Sequence, residues 1–386
     1  MFRRLFIAFF FAVSSGLLFG QSGRKGITIS FKQLTEVEDY SRLPEEHLIP
    51  IADTLLLYQF PNGGWPKDQT WEMTPLSPEE TQRRAKLRQA IKNNDLGTTI
   101  EDGATTLEIF YLAKVYQKTA DVRYREALIR GVEYLLSMQY ENGGWPLVWP
   151  SQTSGFDMEP SYQDYITFNN DAMVNVMRLL KDVADNKSPY MFAQIDEGLK
   201  ARCTASFYKG VLCILDCQVR SGNDLTVWAQ QYDQKTMQPM KARDFEIPAL
   251  TGCGETVGIL SLLMDIPEPS ERVLESVTSA VHWLEKHAIR HKKMLYYVNR
   301  NGLRDVKVTN SRDTTLVWNR FYDIETGRPF FSDYDGIKRD DINDISYRLR
   351  NSYVWMSSSP DAIIKRYYGW IRNMRMKLKK MQQQQY

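Results

Sequence analysis

Three short polar stretches carry the residues best suited to chemistry: TTIEDGATT at 98–106, TFNNDAM at 167–173 and TGCGET at 251–256. Each leads into a run of apolar residues at helical spacing, so each reads as a helix start. Aligned on those runs, Asp102 falls opposite Asn169 and Gly252, which places all three starts at one end of the molecule. A carboxylate at a helix start commonly caps free N–H groups and complements the helix dipole. Three together, Asp102, Asp171 and Glu255, make a rim of hard oxygen donors that suits Ca²⁺. A second set is cationic: Lys241 and Arg243, then Arg320, Arg328, Arg339, Arg348 and Arg350. Arginine grips carboxylates in a bidentate fashion, and Arg320 and Arg328 lie among aromatic residues in VWNRFYDIETGRPFF. Calcium, arginines and aromatic faces in one site would fit an acidic polysaccharide.

The elements that must position these residues are repeats. QFPNGGWP at 59–66 returns as QYENGGWP at 139–146, changed at two positions, and a degraded copy starts at Gln218 with QVRSGND. Gln59, Gln139 and Gln218 stand 80 and 79 residues apart. Asn-Gly-Gly reaches positive φ at little cost, and Trp-Pro fixes an extended exit, so the phrase is a corner. Before each Gln lies an apolar quartet at i, i+3, i+4, i+7: Leu48-Ile51-Ala52-Leu55, Leu128-Gly131-Val132-Leu135 and Phe207-Gly210-Val211-Ile214. That is one face of an α-helix. A fourth quartet, Val277-Ala280-Val281-Leu284, has lost the corner. Partner helices carry quartets of the same spacing that begin at Ile109, Val176 and Ile259. One unpaired helix followed by three α-hairpins cannot bury its apolar faces except by stacking. The expected fold is therefore predominantly all-α, an (α/α) superhelix or partial toroid. Past residue 295 the chain turns β-rich and aromatic, which predicts a small β-containing C-terminal loop region over one end of the array. A basic helix closes the sequence.

The rest of the composition narrows the class. A net charge of +2 argues against a nucleic-acid binder. Four cysteines (Cys203, Cys213, Cys217, Cys253) lack metal-finger spacing, leaving buried thiols or one disulfide. Three of the four histidines crowd one helix as a solvated face. MFRRLFIAFFFAVSSGLLFG has the order of a secretory signal peptide. This predicts a leader at 1–20, one domain over 21–386, and export to the periplasm or medium, with no membrane association after cleavage. The protein is expected to be a monomer.

QFPNGGWPKD, EDGATT, QYENGGWP, ITFNNDAMVNVMRLLKDV, WAQQYDQKTMQPMKAR, IPALTG and VWNRFYDIETGRPFF resemble family 10 of the polysaccharide lyases, the (α/α)-type pectate lyases, from about residue 50 to 357. The resemblance implies calcium-dependent β-elimination of polygalacturonate (pectate) to unsaturated oligogalacturonides. By it, Arg243 takes the place of the proton-abstracting arginine and Asp102 that of the acidic residue before Gly-Ala-Thr, and these two are the expected catalytic residues. Asn170 and Asp171 take the calcium-ligand positions. Lys241, Arg320, Arg328, Arg350 and Trp145 are expected to bind substrate. Asn170 stands where the family usually writes aspartate, Tyr165 replaces an expected histidine, and Tyr334 and Leu349 replace expected arginines. These departures leave a second reading open, a catalytically weakened pectin-binding protein on the same scaffold.

Overall fold

The computed structural model describes residues 43–67, 86, 97–151 and 161–384. The expected leader lies outside them. No helix among the described residues is long and apolar enough to cross a membrane. Seven helices follow the expected order: α1 Glu45–Tyr58, α2 Thr106–Thr119, α3 Val122–Ser137, α4 Ala172–Ala184, α5 Glu197–Asp216, α6 Glu255–Met264 and α7 Glu271–Lys286. The hairpins α2/α3, α4/α5 and α6/α7 pack side by side, with α1 against α2 and α3. Helices α2, α4 and α6 touch in succession as one layer, and α1, α3, α5 and α7 as another. This is the α/α toroid that the period implied. After the short α8 (Tyr347–Ser352) comes α9 (Ser359–Gln384), which packs on α6 and α7. The closing basic helix therefore begins as a fourth member of the inner layer.

The repeated corner is a staple between neighbouring repeats. The Gln59 amide donates to the Gly63 carbonyl at 2.9 Å and to Ala127 of the next repeat at 2.8 Å. Gln139 does the same to Gly143 and Ser206, and Gln218 to Thr226 and Ser276. Each acceptor in the next repeat immediately precedes the first residue of its apolar quartet. One glutamine amide thus ties its own turn to a helix carbonyl of the next repeat, which fixes the stacking register. The corner tryptophan closes the turn: the indole N–H groups of Trp65 and Trp145 donate to Leu55 and Leu135 at 2.9 and 2.8 Å. Room for each ring comes from the glycine of the following quartet. A Cβ on Gly131 would lie 3.0 Å from the Trp65 ring, and one on Gly210 2.9 Å from that of Trp145.

Two further tryptophans complete the series. Trp228 donates to Ile214, and Trp318 donates to Leu284 at 2.7 Å. The fourth corner is thus displaced rather than lost, since an insertion separates α7 from its tryptophan. Four strands form an antiparallel sheet: β1 Leu250–Thr251 pairs with β4 Phe321–Tyr322, β4 with β5 Pro329–Ser332, and β5 with β6 Lys338–Arg339. Strands β2 Lys292–Val298 and β3 Arg304–Asn310 form a separate antiparallel ribbon inside the insertion. A second apolar cluster, with Phe245, Val306, Phe330 and Trp355, lies under this β region.

The two layers begin their helices differently. Outer helices α3, α5 and α7 carry side-chain caps: Asp121 accepts from Arg123 N–H, Asp196 from Leu199 N–H and Ser270 from Val273 N–H. Inner helices α2, α4 and α6 carry none, and their N-cap residues Thr105, Asp171 and Gly254 all have positive φ (64°, 59° and 49°). Asp102 and Asn170 are also left-handed, at 52° and 50°. Non-glycine residues held there cost of order 1–3 kcal/mol each and cluster at functional sites. The inner starts are where the sequence put its chemistry.

Candidate active site

The starts of α2 and α4 meet side by side. Asn170 Nδ2 donates to Asp102 Oδ1 at 2.8 Å, and the Asn170 backbone N–H lies 3.4 Å from Glu255 Oε1 at the start of α6. The structural equivalent of Asp102 is Asn170, not Asn169 as the apolar register suggested. Each is the middle residue of a short 3₁₀ turn, over Glu101–Gly103 and Asn169–Asp171, and the second turn runs into its helix with fewer residues between. Asn170 is exposed at the rim. Asp171 turns the other way, against α6, where a Cβ on Gly258 would fall 1.9 Å from its Oδ1. That oxygen is buried without a hydrogen-bond partner. Desolvation, then the charge of Glu255, pushes the Asp171 carboxyl up to about 7.

A chain of ion pairs links this corner to the predicted arginine. Lys67 Nζ bridges Glu101 at 2.9 Å and Asp102 at 2.8 Å. Glu101 Oε1 in turn accepts from Arg243 Nη2 at 2.9 Å, and Glu246 lies 3.7 Å from Arg243 Nη1. Burial works to lower the Arg243 pKa, but the charges of Glu246 and Glu101 outweigh it and hold the guanidinium above the usual arginine range. For Asp102, partial burial raises the pKa, and the Lys67 and Asn170 hydrogen bonds more than offset it, leaving the carboxyl below its ordinary value. These side chains are partly open, Arg243 at 36% exposure and Asp102 at 47%.

Beside them is a closed pair. Arg320 Nη2 meets Glu255 Oε1 at 2.6 Å, with exposures of 9% and 1%. The guanidinium lies 4.4 Å from the Tyr353 ring centroid, and Gln230 donates to the same Glu255 oxygen at 3.0 Å. Tyr353 spans both groups, since its hydroxyl donates to Glu246 at 2.8 Å.

Other predicted residues fall elsewhere. Lys241 is exposed and pairs with Asp244 at 3.4 Å. Arg328 is exposed in the turn between β4 and β5, where its carbonyl accepts from Asp323 N–H. Four expected contacts are not open to a ligand, counting Arg320, spent on Glu255, and Asp171, turned against α6. Trp145 is 0% exposed with its indole N–H spent on Leu135, so it is core and offers no face to a ligand. Arg350 is locked to Asp305 by two hydrogen bonds of 2.7 and 2.8 Å and also donates to the Ile345 carbonyl, so it anchors β3. Leu349 is core, whereas Tyr334 is exposed, edge-on to Phe245. All four cysteines are free and buried.

Sequence reasoning misses Lys67, Glu101, Glu246, Gln230 and Tyr353. Lys67 left a trace: the first corner phrase is followed by Lys67 where the second is followed by Leu147, which is 1% exposed. A charged residue at a position its sister repeat keeps apolar is a usable signal. Glu246 and Tyr353 left none.

The sequence model of the pectic acid lyase family matches residues 59–364. The chain belongs to that family. It is similar in structure to a family 10 polysaccharide lyase from Cellvibrio cellulosa, with TM-score 0.68 and 28% identity over 83% of this chain and 91% of that one. It is also similar to an aspartate-to-alanine mutant of a family 10 polysaccharide lyase from the same organism in complex with trigalacturonic acid, with TM-score 0.67 and 28% identity over 81% and 90%. No curated protein matches the chain significantly. The protein is accordingly a pectate lyase of polysaccharide lyase family 10.

Calcium is the cation this family generally uses, and the donor set can be tested against it. Asp102 and Asn170 present a carboxylate and a carboxamide at the open rim, both hard oxygen donors. No group of three or more His, Cys, Asp or Glu arranged to hold a metal occurs among the described residues. Calcium takes six to eight oxygens. Two such donors fall short of that number, so they fit calcium only if other oxygens complete the shell.

Proposed function

We propose that the enzyme is a calcium-dependent lyase that cleaves polygalacturonate by β-elimination and releases unsaturated oligogalacturonides. The observation that carries this reading is the linkage of Arg243 to Asp102 through Glu101 and Lys67 at an open rim. It sets a cationic group beside hard oxygen donors where a uronate could enter. The relative solved with trigalacturonic acid supports the same substrate class.

In the elimination, the C5 proton α to the uronate carboxylate is removed. The C4–O bond breaks, a C4=C5 double bond forms, and the departing oxygen takes up a proton. Asp102 and Asn170 would hold calcium, which when bound neutralises the substrate carboxylate and makes the α proton easier to remove. Arg243 takes the C5 proton, and Glu101 and Glu246 orient its guanidinium. With both carboxylates in place that group holds its own proton firmly, and arginine is ordinarily never deprotonated. Proton abstraction by Arg243 therefore needs the charge of Glu101 cancelled or drawn away as substrate binds. Lys241 contributes a cation for a neighbouring uronate.

The test is the ultraviolet absorbance of the unsaturated product on polygalacturonate, with calcium and with excess chelator. Turnover lost in chelator and restored by calcium is expected. Full turnover in chelator, with no metal by elemental analysis, overturns the calcium requirement. No product under any condition, with polymer binding retained, favours the pectin-binding reading. We further propose export through the leader at 1–20 and action of residues 21–386 as a monomeric single domain. N-terminal sequencing and sedimentation of the exported protein check both points.

A further inference from the structure

The ribbon β2–β3 is not used by the site described above. From Arg290 to Asp313, both included, the chain carries seven Lys or Arg residues and two acids: both oxygens of Asp305 are taken by Arg350, and Asp313 lies 3.9 Å from Lys293, leaving the ribbon strongly basic. Arg304 lies over the Tyr296 ring at 5.4 Å, and Lys307 over the Tyr297 ring at 5.1 Å on the other face. Tyr296 and Val298 are 59% and 69% exposed. The ribbon is nonetheless held firmly. Val306 is buried in the second core cluster, and Asn351 and Arg350 of α8 clamp Asp305. Tyr353, just beyond α8, touches both Glu246 and Arg320. The ribbon is therefore fixed to the segment that borders the active site.

We propose that the β2–β3 ribbon is a second, noncatalytic binding surface for polyuronate that holds the polymer chain beside the active site. Strand β2 has no strand partner on its outer edge among the described residues, and such an edge invites pairing with another strand. Its cations oppose that: a second copy of this chain would bring two strongly basic ribbons together, and edge lysines are a known guard against such pairing. The same charge attracts a polyanion. What distinguishes a uronate from any other anion is the pairing on each face of an aromatic ring with a cation. A sugar ring can lie on the tyrosine while its carboxylate meets the adjacent Arg or Lys. The proposal rests on the pectate reading only for the choice of polymer.

The experiment is retention of the full-length protein on polygalacturonate in the presence of chelator, beside retention on polyglutamate, an anion without sugar rings. Two variants are compared with the parent: Lys293→Glu/Lys307→Glu and Tyr296→Ala/Tyr297→Ala. Each pair should weaken polygalacturonate binding by about tenfold, roughly 1.4 kcal/mol. The turnover of short oligogalacturonates should stay unchanged, which also shows that the variants fold. The tyrosine pair should leave polyglutamate retention as it was. Parental retention of both variants on polygalacturonate overturns the proposal. So does equal loss on both matrices for the tyrosine pair, or sedimentation showing a dimer that the lysine pair abolishes. Strong parental retention with no lyase product under any condition sinks the pectate lyase reading while leaving the ribbon standing, so the two failures are separable.

Discussion

Two parts of the rim are built alike and behave differently. In the open part, Lys67, Glu101, Asp102 and Arg243 alternate cation and anion with side-chain exposures of 29%, 17%, 47% and 36%. In the closed part, Arg320 and Glu255 make the same kind of pair at 9% and 1%. An exposed pair is worth at most about 1 kcal/mol, so a ligand carboxylate can replace one partner at little cost. A buried pair cannot be opened that way, because the charge left behind has no water to turn to. Charge composition alone marks both parts as binding sites, and burial separates them. The open part is equipped to exchange partners with substrate. The closed part holds the start of α6 against β4.

The largest effect that would break this comparison is at Arg243. Arg243→Lys keeps the charge but loses the fork that spans Glu101 and Glu246. If Arg243 acts on the C5 proton, kcat and kcat/KM should fall together by roughly 10²–10⁴-fold. A rise in KM alone would make it a binding residue and move proton abstraction elsewhere. Urea unfolding should barely change, since the residue is partly open.

Arg320→Ala should do the reverse. It strands Glu255 in the interior, with Oε2 already lacking a partner, and should cost about 3–5 kcal/mol. The urea midpoint measures this directly. Replacing both ends, Arg320→Met with Glu255→Gln, should recover much of the loss, as removing a whole buried pair often does. A stable Arg320→Ala enzyme whose only defect is a higher KM would place Arg320 in contact with substrate and erase the distinction drawn here.

The sequence was legible where one period governs many residues. The apolar quartets, the corners and the direction of the inner helix starts all follow from stacking identical units, so the seven helices of the array fell where the spacing put them, whereas the short α8 carried no such signal. The degraded corners hid Trp228 and Trp318 because loop length is cheap to change while the indole's place is not. The residues that meet at the rim, Asp102, Asn170 and Arg243, were legible because they sat on the repeat or in a motif, whereas nothing in the spacing foretold that Asp171 turns against α6. Burial was not legible, which is why Trp145 and Arg350 read as ligand contacts. Trp145→Phe tests the former at intermediate size. Losing the bond to Leu135 should cost about 1–3 kcal/mol and leave KM for polygalacturonate unchanged. A selective rise in KM without loss of stability would return Trp145 to the site.

The smallest expected effect sharpens the open part. Asn170→Asp puts a second carboxylate against Asp102, converting the 2.8 Å amide hydrogen bond into a like-charge contact. Without a cation that repulsion should raise the pKa of one of the two carboxyls and loosen the turn slightly. With calcium the sign inverts, because a dication gains a charged hard donor in place of a neutral one. Only a few-fold gain is expected, since Lys67 already competes for Asp102 and the repulsion must be overcome first. The measurement is calcium binding by calorimetry on the parent and the variant, beside the calcium concentration that half-restores turnover. Both should shift down together. If neither moves, position 170 does not hold the ion, and Asp102 shares it with another donor, the nearest to position 170 in sequence being Asp171 after turning out from Gly258. In that case Asp171→Asn should abolish calcium binding where Asn170→Asp left it alone.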